Sequence, residues 1–158
     1  MTKSLIEAGK HTVTAITRPG STSKVPEGAN AVVVDYDDEK SLVESLRGQQ
    51  FLAISLSVMS PAGTQEKIIK AAATAGVPWI MPNCWGSDFT NKSLAEENMT
   101  GAGVISGINA IEEAGVASWI AMCCSFWYEF SVAQGPQWYG FDFSNGQKKV
   151  TLYDDGNT

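Results

Sequence analysis

The residues able to do chemistry fall into a few short groups. Arg18 closes an alternating run, His11-Thr12-Val13-Thr14-Ala15-Ile16-Thr17, with Thr17, Ser21 and Lys24 close to it in sequence. A guanidinium with hydroxyls and an ammonium beside it suits charge-assisted bonds to an anion. The same arginine on a turn-rich loop can also be solvated. Asn83-Cys84-Trp85-Gly86 follows an apolar run stopped by Pro82, so it falls at the carboxyl end of a strand, where open α/β sheets bind ligands. A thiol there reacts only if its pKa is depressed. Phe126-Trp127-Tyr128-Glu129-Phe130 is an aromatic run that suits a core, with Glu129 as an acceptor among the rings. Cys123 and Cys124 sit in an apolar run and read as small buried hydrophobes. His11 is the single histidine, so no metal site of the usual spacing can be drawn.

These groups must be positioned by regular elements, and the pattern supplies them. Residues 3–9 read as a helix end stopped by Gly9. Thr12–Thr17 alternates and reads as a strand. Ala31-Val32-Val33-Val34 is a continuous apolar run ending at Asp35, suited to a buried parallel strand. Asp37 can cap a helix running to Arg47. Phe51–Leu56 reads as a strand. Ser60-Pro61 signals a helix start, and that helix runs to Gly76. Val77–Met81 is a short strand, and residues 83–91 form a loop. Val104, Ile108 and Ile111 form a helical stripe ending near Gly115. Val116–Cys124 and Lys148–Tyr153 complete the strands. Alternating strands and helices predict an α/β fold with a parallel sheet covered on its faces.

The chain has 158 residues, 44% of them hydrophobic and 18% charged, enough for one domain with a core. Its net charge of −6, from 17 acidic and 11 basic residues, argues against a nucleic-acid surface, which needs clustered Lys and Arg. No apolar run approaches the ~18 residues of a membrane span. Three cysteines without a secretory signal predict reduced thiols and the cytoplasm.

Several stretches together carry a resemblance: LIEAGKHTVTAITRPGS, AVVVDYDDEKSLVESLRG, IIKAAATAGVPWIMPNCWGSD, and SFWYEFS with YGFDFSNGQKKVTLYDDGNT. In register, they resemble the NmrA-like and isoflavone-reductase-like family of atypical short-chain dehydrogenases, over nearly the whole chain. The resemblance implies an incomplete NAD(P)-binding Rossmann domain, one partial domain over residues 1–158. It places Met1 inside the first helix, so the family's first strand and GxxGxxG turn are expected to lie outside these residues. The substrate-binding part beyond DDGN is expected to lie outside as well. In a 3-2-1-4-5-6 sheet the first strand is central; without it, Val13–Ile16 and Leu52–Ser55 should each keep an unpaired edge.

The same resemblance assigns roles. It puts Arg18 at the 2′-phosphate of NADP, with Thr17, Ser21 and Lys24 in support. It puts Asp35 and Tyr36 at the adenine edge, Ser57 and Val58 along the nicotinamide ribose, and Asn83 and Cys84 facing the nicotinamide. Cys84 stands where the family usually has an acid, and a thiol supplies no fixed negative charge. Trp85, Phe126, Trp127 and Tyr128 would line the substrate pocket. Each position has a structural alternative: turn chemistry for Asp35 and Tyr36, helix capping near Ser57, core packing for the aromatics. Tyr36 and Lys40 reproduce the YxxxK spacing of ordinary short-chain dehydrogenases, but in a turn after the wrong strand, and are read as coincidence. The family's reductases place a catalytic lysine on the helix matched by Gly103–Ile111, which contains none. Ser106 offers a hydroxyl but no general acid near neutral pH, so no catalytic residue is assigned.

The expected function is that of an NAD(P)-binding oxidoreductase-like protein, degenerate or truncated. Its ligands would be a dinucleotide and a small aromatic or enone substrate. The alternatives are a non-catalytic NADP-sensing regulator with a protein partner, and a gene-model fragment without function.

Overall fold

The computed structural model describes residues 1–97, 100–125, 127, 135–146, 148–152 and 155. The chain divides into two compact units. The first is Met1–Asn83 with Ala102–Ala121, and the second is Cys84–Gly101 with Met122–Thr158.

The first unit starts with helix α1 (Thr2–Glu7) and strands β1 (Thr14–Thr17) and β2 (Asn30–Val33). These strands are parallel, with Thr14 opposite Asn30 and Thr17 opposite Val33. Helix α2 (Glu39–Leu46) begins at Asp38, whose carboxylate accepts from the Ser41 N–H at 3.1 Å. The expected cap, Asp37, instead forms an ion pair with Lys67. Leu42, Val43 and Leu46 form the buried face of α2.

Strand β3 (Leu52–Ala53) precedes helix α3 (Thr64–Ala75). The helix does not start at Ser60-Pro61 as expected. Ser60 N–H turns back to Ser57 O, and Thr64 N–H and Oγ1 both bond Pro61 O, so this stretch is a closed turn ahead of the helix. Glycine at 63, with φ +80°, then makes the entry. Gly76, with φ +78°, ends α3 as expected, and Val77 N–H returns to Ala72 O at 3.0 Å. That six-to-one bond closes the helix and aims the chain into the core.

Strand β4 (Trp79–Met81) lies between β3 and β5 (Ser118–Trp119), parallel to both. The sequence predicted a strand over Val116–Cys124, but pairing stops much sooner. Ile120 N–H still donates to Ile80 O at 3.1 Å. The next rung would need an N–H from residue 82, which is proline and has none. Helix α5 (Gly101–Ala114), all but Gly101 in this unit, buries Val104, Ile108 and Ile111 as the stripe predicted.

Both sheets feed one core. Val34, Leu42, Leu46, Ile54, Ile69, Ile80 and Ile111 are buried together, with Ile16, Val32, Leu52 and Trp119 packed against them. Yet the sheets are separate: β1 pairs with β2, and β3-β4-β5 form the other. Asn30 N–H meets Val13 O and Val34 N–H meets Thr17 O, so parallel alternation turns the N–H and C=O of Thr14 and Ile16 to the opposite edge. Among the described residues no strand joins β1 to β3. This is the order of a doubly wound sheet on either side of its central strand, with the open edges expected from the sequence.

The second unit contains α4 (Lys92–Glu97), a helix the sequence reading missed, although Asn91 Oδ1 caps it by accepting from Leu94 N–H at 3.2 Å. Helix α6 (Pro136–Tyr139) leads into strand β6 (Phe141–Asp142), which pairs antiparallel with β7 (Lys149–Val150). The predicted strand to Tyr153 is thus shorter over the described residues, and Tyr153 itself lies outside them.

Candidate functional site

In the first unit, the carboxyl ends of β1 to β4 carry most of the predicted residues. Thr17 is the last residue of β1 and is half-buried. Arg18 follows it, exposed. Tyr36 stands three residues beyond the end of β2, half-buried against the core. Burial pushes its hydroxyl above the usual tyrosine range, and the nearby Arg18 charge offsets part of that rise. Arg18 and Tyr36 thus follow neighbouring parallel strands, close enough for the Arg18 charge to act on the Tyr36 hydroxyl. Ser21 and Lys24 are exposed on the loop after β1, where Ser21 Oγ accepts from Ser23 N–H at 3.2 Å. Asp35 is exposed, and its carboxylate accepts from Asp37 N–H at 3.0 Å, the turn chemistry weighed as its structural alternative.

Tyr36 also lines a cleft of about 150 Å³ with Asp37, Glu39, Leu42, Lys67 and Lys70. Ligand pockets usually start at ~300 Å³, so the cleft is a notch rather than an enclosed pocket. Its rim carries two ion pairs, Lys67 with Asp37 and Lys70 with Glu39. Exposed pairs of this kind contribute little to stability.

Ser57 and Val58 lie after β3, both exposed. Ser57 Oγ accepts from Met59 N–H at 3.2 Å, so the residue closes its own turn. Asn83 does more. Its Oδ1 accepts from Leu56 N–H and its Nδ2 donates to Leu56 O, both at 3.2 Å. The side-chain amide thus takes the place of a backbone rung and extends the β3-β4 ladder past Pro82.

Gln65 is the residue that sequence reasoning missed. It is 9% exposed; its Oε1 accepts from Asn83 N–H at 2.7 Å and its Nε2 donates to Gly103 O at 2.8 Å. One side chain thereby links α3, the end of β4 and the start of α5. The signal was available: a glutamine three and four residues before Ile68 and Ile69 shares their buried face. Gly107 leaves room for it. A Cβ there would stand 2.5 Å from Gln65 Nε2. Gly107→Ala is therefore expected to displace Gln65 and to destabilise the chain by about 1–3 kcal/mol, the range for buried polar groups left unpaired. Urea unfolding followed by tryptophan fluorescence measures it, and an unchanged midpoint would contradict this account.

The second unit holds the remaining candidates. Cys84 is 1% exposed. Its Sγ accepts from Met122 N–H at 3.1 Å. Burial, first among several causes, pushes its thiol above the usual range, the opposite of an activated nucleophile. Trp85 O accepts from Trp127 Nε1 at 2.7 Å, so two predicted pocket residues meet. Phe126 and Tyr128 lie outside the described residues. On α5, Ser106 Oγ donates to Glu66 Oε1 at 2.6 Å, and the described helix has no lysine on any face.

No protein-family model and no curated protein matches the chain. Solved structures do. The crystal structure of an isoflavone reductase aligns with 22% identity and a TM-score of 0.64, over 82% of this chain and 47% of that one. AtPrR2 with NADP+ and (+)pinoresinol aligns with 22% identity and a TM-score of 0.68, over 98% and 54%. The Citrobacter sp. triphenylmethane reductase complexed with NADP(H) aligns with 20% identity and a TM-score of 0.51, over 67% and 37%. The fold is theirs. The resemblance to isoflavone-reductase-like proteins read from the sequence holds at this level: a small α/β protein matching part of an NAD(P)-binding Rossmann fold. The chain spans about half the length of the isoflavone reductase and AtPrR2 structures. No described helix is long and apolar enough to cross a membrane.

Proposed function

We propose that residues 1–158 are part of one NAD(P)-binding domain of an isoflavone-reductase-like, NmrA-like protein of the cytoplasm. Its task in that protein is to hold the adenosine end of NADP. The observation that supports this most is the position of Arg18 and Tyr36, each just past the carboxyl end of one of two adjacent parallel strands, the place where such sheets take ligands.

The residues fit that end of the cofactor. Arg18 and Lys24 are exposed cations, and Ser21 offers a hydroxyl on the same loop, a donor set for a 2′-phosphate. Tyr36 gives a flat, half-buried face for a base. Asp35, beside it, would meet the base's edge. In the first unit, Ser57, Val58 and Asn83 would follow the cofactor towards its nicotinamide end; in the second unit, by itself, Trp85 and Trp127 would serve a small aromatic or enone substrate. Bound NADPH would supply a hydride; the protein residues would orient the dinucleotide and exclude water.

Affinity follows from the donors. A hydrogen bond to a charged group contributes roughly 1.5–3 kcal/mol net, whereas micromolar binding needs about 8 kcal/mol. With Arg18 as the principal ligand, the 158-residue chain should bind NADP no better than roughly millimolar, about 4 kcal/mol. Saturation-transfer NMR should show NADP binding in preference to NAD, and Arg18→Ala should abolish the preference. Equal NAD and NADP signals in both chains would defeat the proposal.

A second reading is a non-catalytic NADP sensor that engages a protein partner. It is favoured by α5, where Ser106 is committed to Glu66 and no lysine stands in for a proton donor.

A further inference from the structure

Cys84, Cys123 and Cys124 are all free thiols, and the proposed cofactor role uses the last two for nothing. The fold brings Cys84 to the segment that carries the other two, because Met122, 38 residues along the chain and next to Cys123, donates its N–H to Cys84 Sγ at 3.1 Å. Consecutive Cα atoms are about 3.8 Å apart, so the Cys84 sulfur lies one residue from Cys123. A disulfide needs Cα atoms roughly 4.4–6.8 Å apart, a range that a small shift of the irregular Met122–Cys124 segment can reach from this contact. The thiols differ in access: Cys84 is buried, and Cys123 and Cys124 are exposed. They also sense one another, since Cys123 and, less strongly, Cys124 both disfavour a thiolate at Cys84. Two of the three cysteines are therefore open to an oxidant in solvent, and the third is buried.

We infer that Cys84 and Cys123 form a reversible thiol–disulfide pair, oxidised by a hydroperoxide. The exposed Cys123 thiolate attacks the hydroperoxide; its S–O bond forms as the O–O bond breaks. The departing alkoxide takes a proton, and Cys123 is left as a sulfenic acid. The Cys84 sulfur then attacks that sulfur; the S–S bond forms, the S–O bond breaks, and hydroxide leaves with the Cys84 proton as water. Two thiols lose two electrons and two protons, and one hydroperoxide becomes one alcohol and one water. A thiol with a raised pKa is slow in the second step, so the sulfenic acid should be trappable before the bridge closes.

The test uses the full chain and tert-butyl hydroperoxide. There is no Lys or Arg between positions 71 and 91 or between 93 and 147, so trypsin separates Cys84, in peptide 71–92, from Cys123 and Cys124, in peptide 93–148. After native oxidation, blocking of free thiols and digestion, mass spectrometry should find these two peptides joined in most molecules and separated again by dithiothreitol. Cys124→Ser should keep the link, and Cys123→Ser should lose it. Oxidation in guanidinium should scatter the linkage, because the contact exists only in the fold. A link through Cys124, a bridge between Cys123 and Cys124, or a Cys84 that remains alkylatable after oxidation would overturn the proposal. If the Cys123→Ser chain fails to fold, fragmentation of the linked peptides from the unaltered chain identifies the partner of Cys84 by itself.

Discussion

Ile80→Ala should leave the chain without a fixed core. Ile80 is fully buried in β4, the strand that pairs with both β3 and β5. Large-to-small substitutions at such positions cost about 2–5 kcal/mol, against a total of about 5–15 kcal/mol for an ordinary domain. This fold has less to draw on. Its β1-β2 and β3-β4-β5 sheets are separate, and side chains such as Ile16, Ile54 and Ile80 pack them into one core. The expected result is loss of the near-UV circular dichroism of the tryptophans with much of the far-UV signal kept, and binding of a hydrophobic dye. A sharp melt in the near-UV within a few degrees of the unaltered chain would show that the core does not depend on β4 as described.

Asn83→Asp is expected to make stability strongly dependent on pH. The amide of Asn83 both donates to Leu56 O and accepts from Leu56 N–H. A protonated carboxyl can do the same; a carboxylate can only accept, and would face the Leu56 carbonyl with charge. The neutral form is therefore favoured in the fold, and the introduced carboxyl's pKa is raised there above its unfolded value of about 4. The sign follows from proton counting: the folded state holds the proton more tightly, so stability is full below about pH 4 and falls as pH rises through the raised folded value. At neutral pH the loss should be about 1–2 kcal/mol, the lower part of the range for an unpaired buried group, because the Leu56–Asn83 bonds are half-buried. Urea midpoints from pH 3.5 to 7.5, compared with those of the unaltered chain, measure it. Parallel profiles for the two chains would show that Asn83 does not hold the ladder.

Local pattern determined much of this protein. The stripe of Val104, Ile108 and Ile111 and the stop at Gly76 express preferences of nearby residues and stand where the sequence placed them; the runs at Thr12–Thr17 and Ala31–Val34 did form strands, but β1 starts only at Thr14, and β2, expected to be buried, is mostly exposed, with Val34 alone of its run in the core. The doubly wound order was also legible, because strands alternating with helices admit few arrangements, and the open edges of β1 and β3 followed from that order. The placement of Arg18 after β1 and of Asn83 and Cys84 after β4 came with it.

Tertiary structure decided what depends on partners distant in sequence. Asp38 rather than Asp37 caps α2, and the Asp37 carboxylate pairs instead with Lys67 on α3. The strand predicted to reach Cys124 ended early because its neighbour offers proline at 82 in place of an N–H donor. Ser60-Pro61 became a turn because Thr64 bonds back to Pro61 O. Gln65, unremarkable within a helical pattern, became a link among three elements only once Asn83 and Gly103 were folded against it. Met122, the neighbour of Cys123, likewise meets the Cys84 sulfur only in the fold. In each case a side chain or backbone group was satisfied by a group far along the chain. Periodicity and propensity report on neighbours within a few residues and carry no record of such partners.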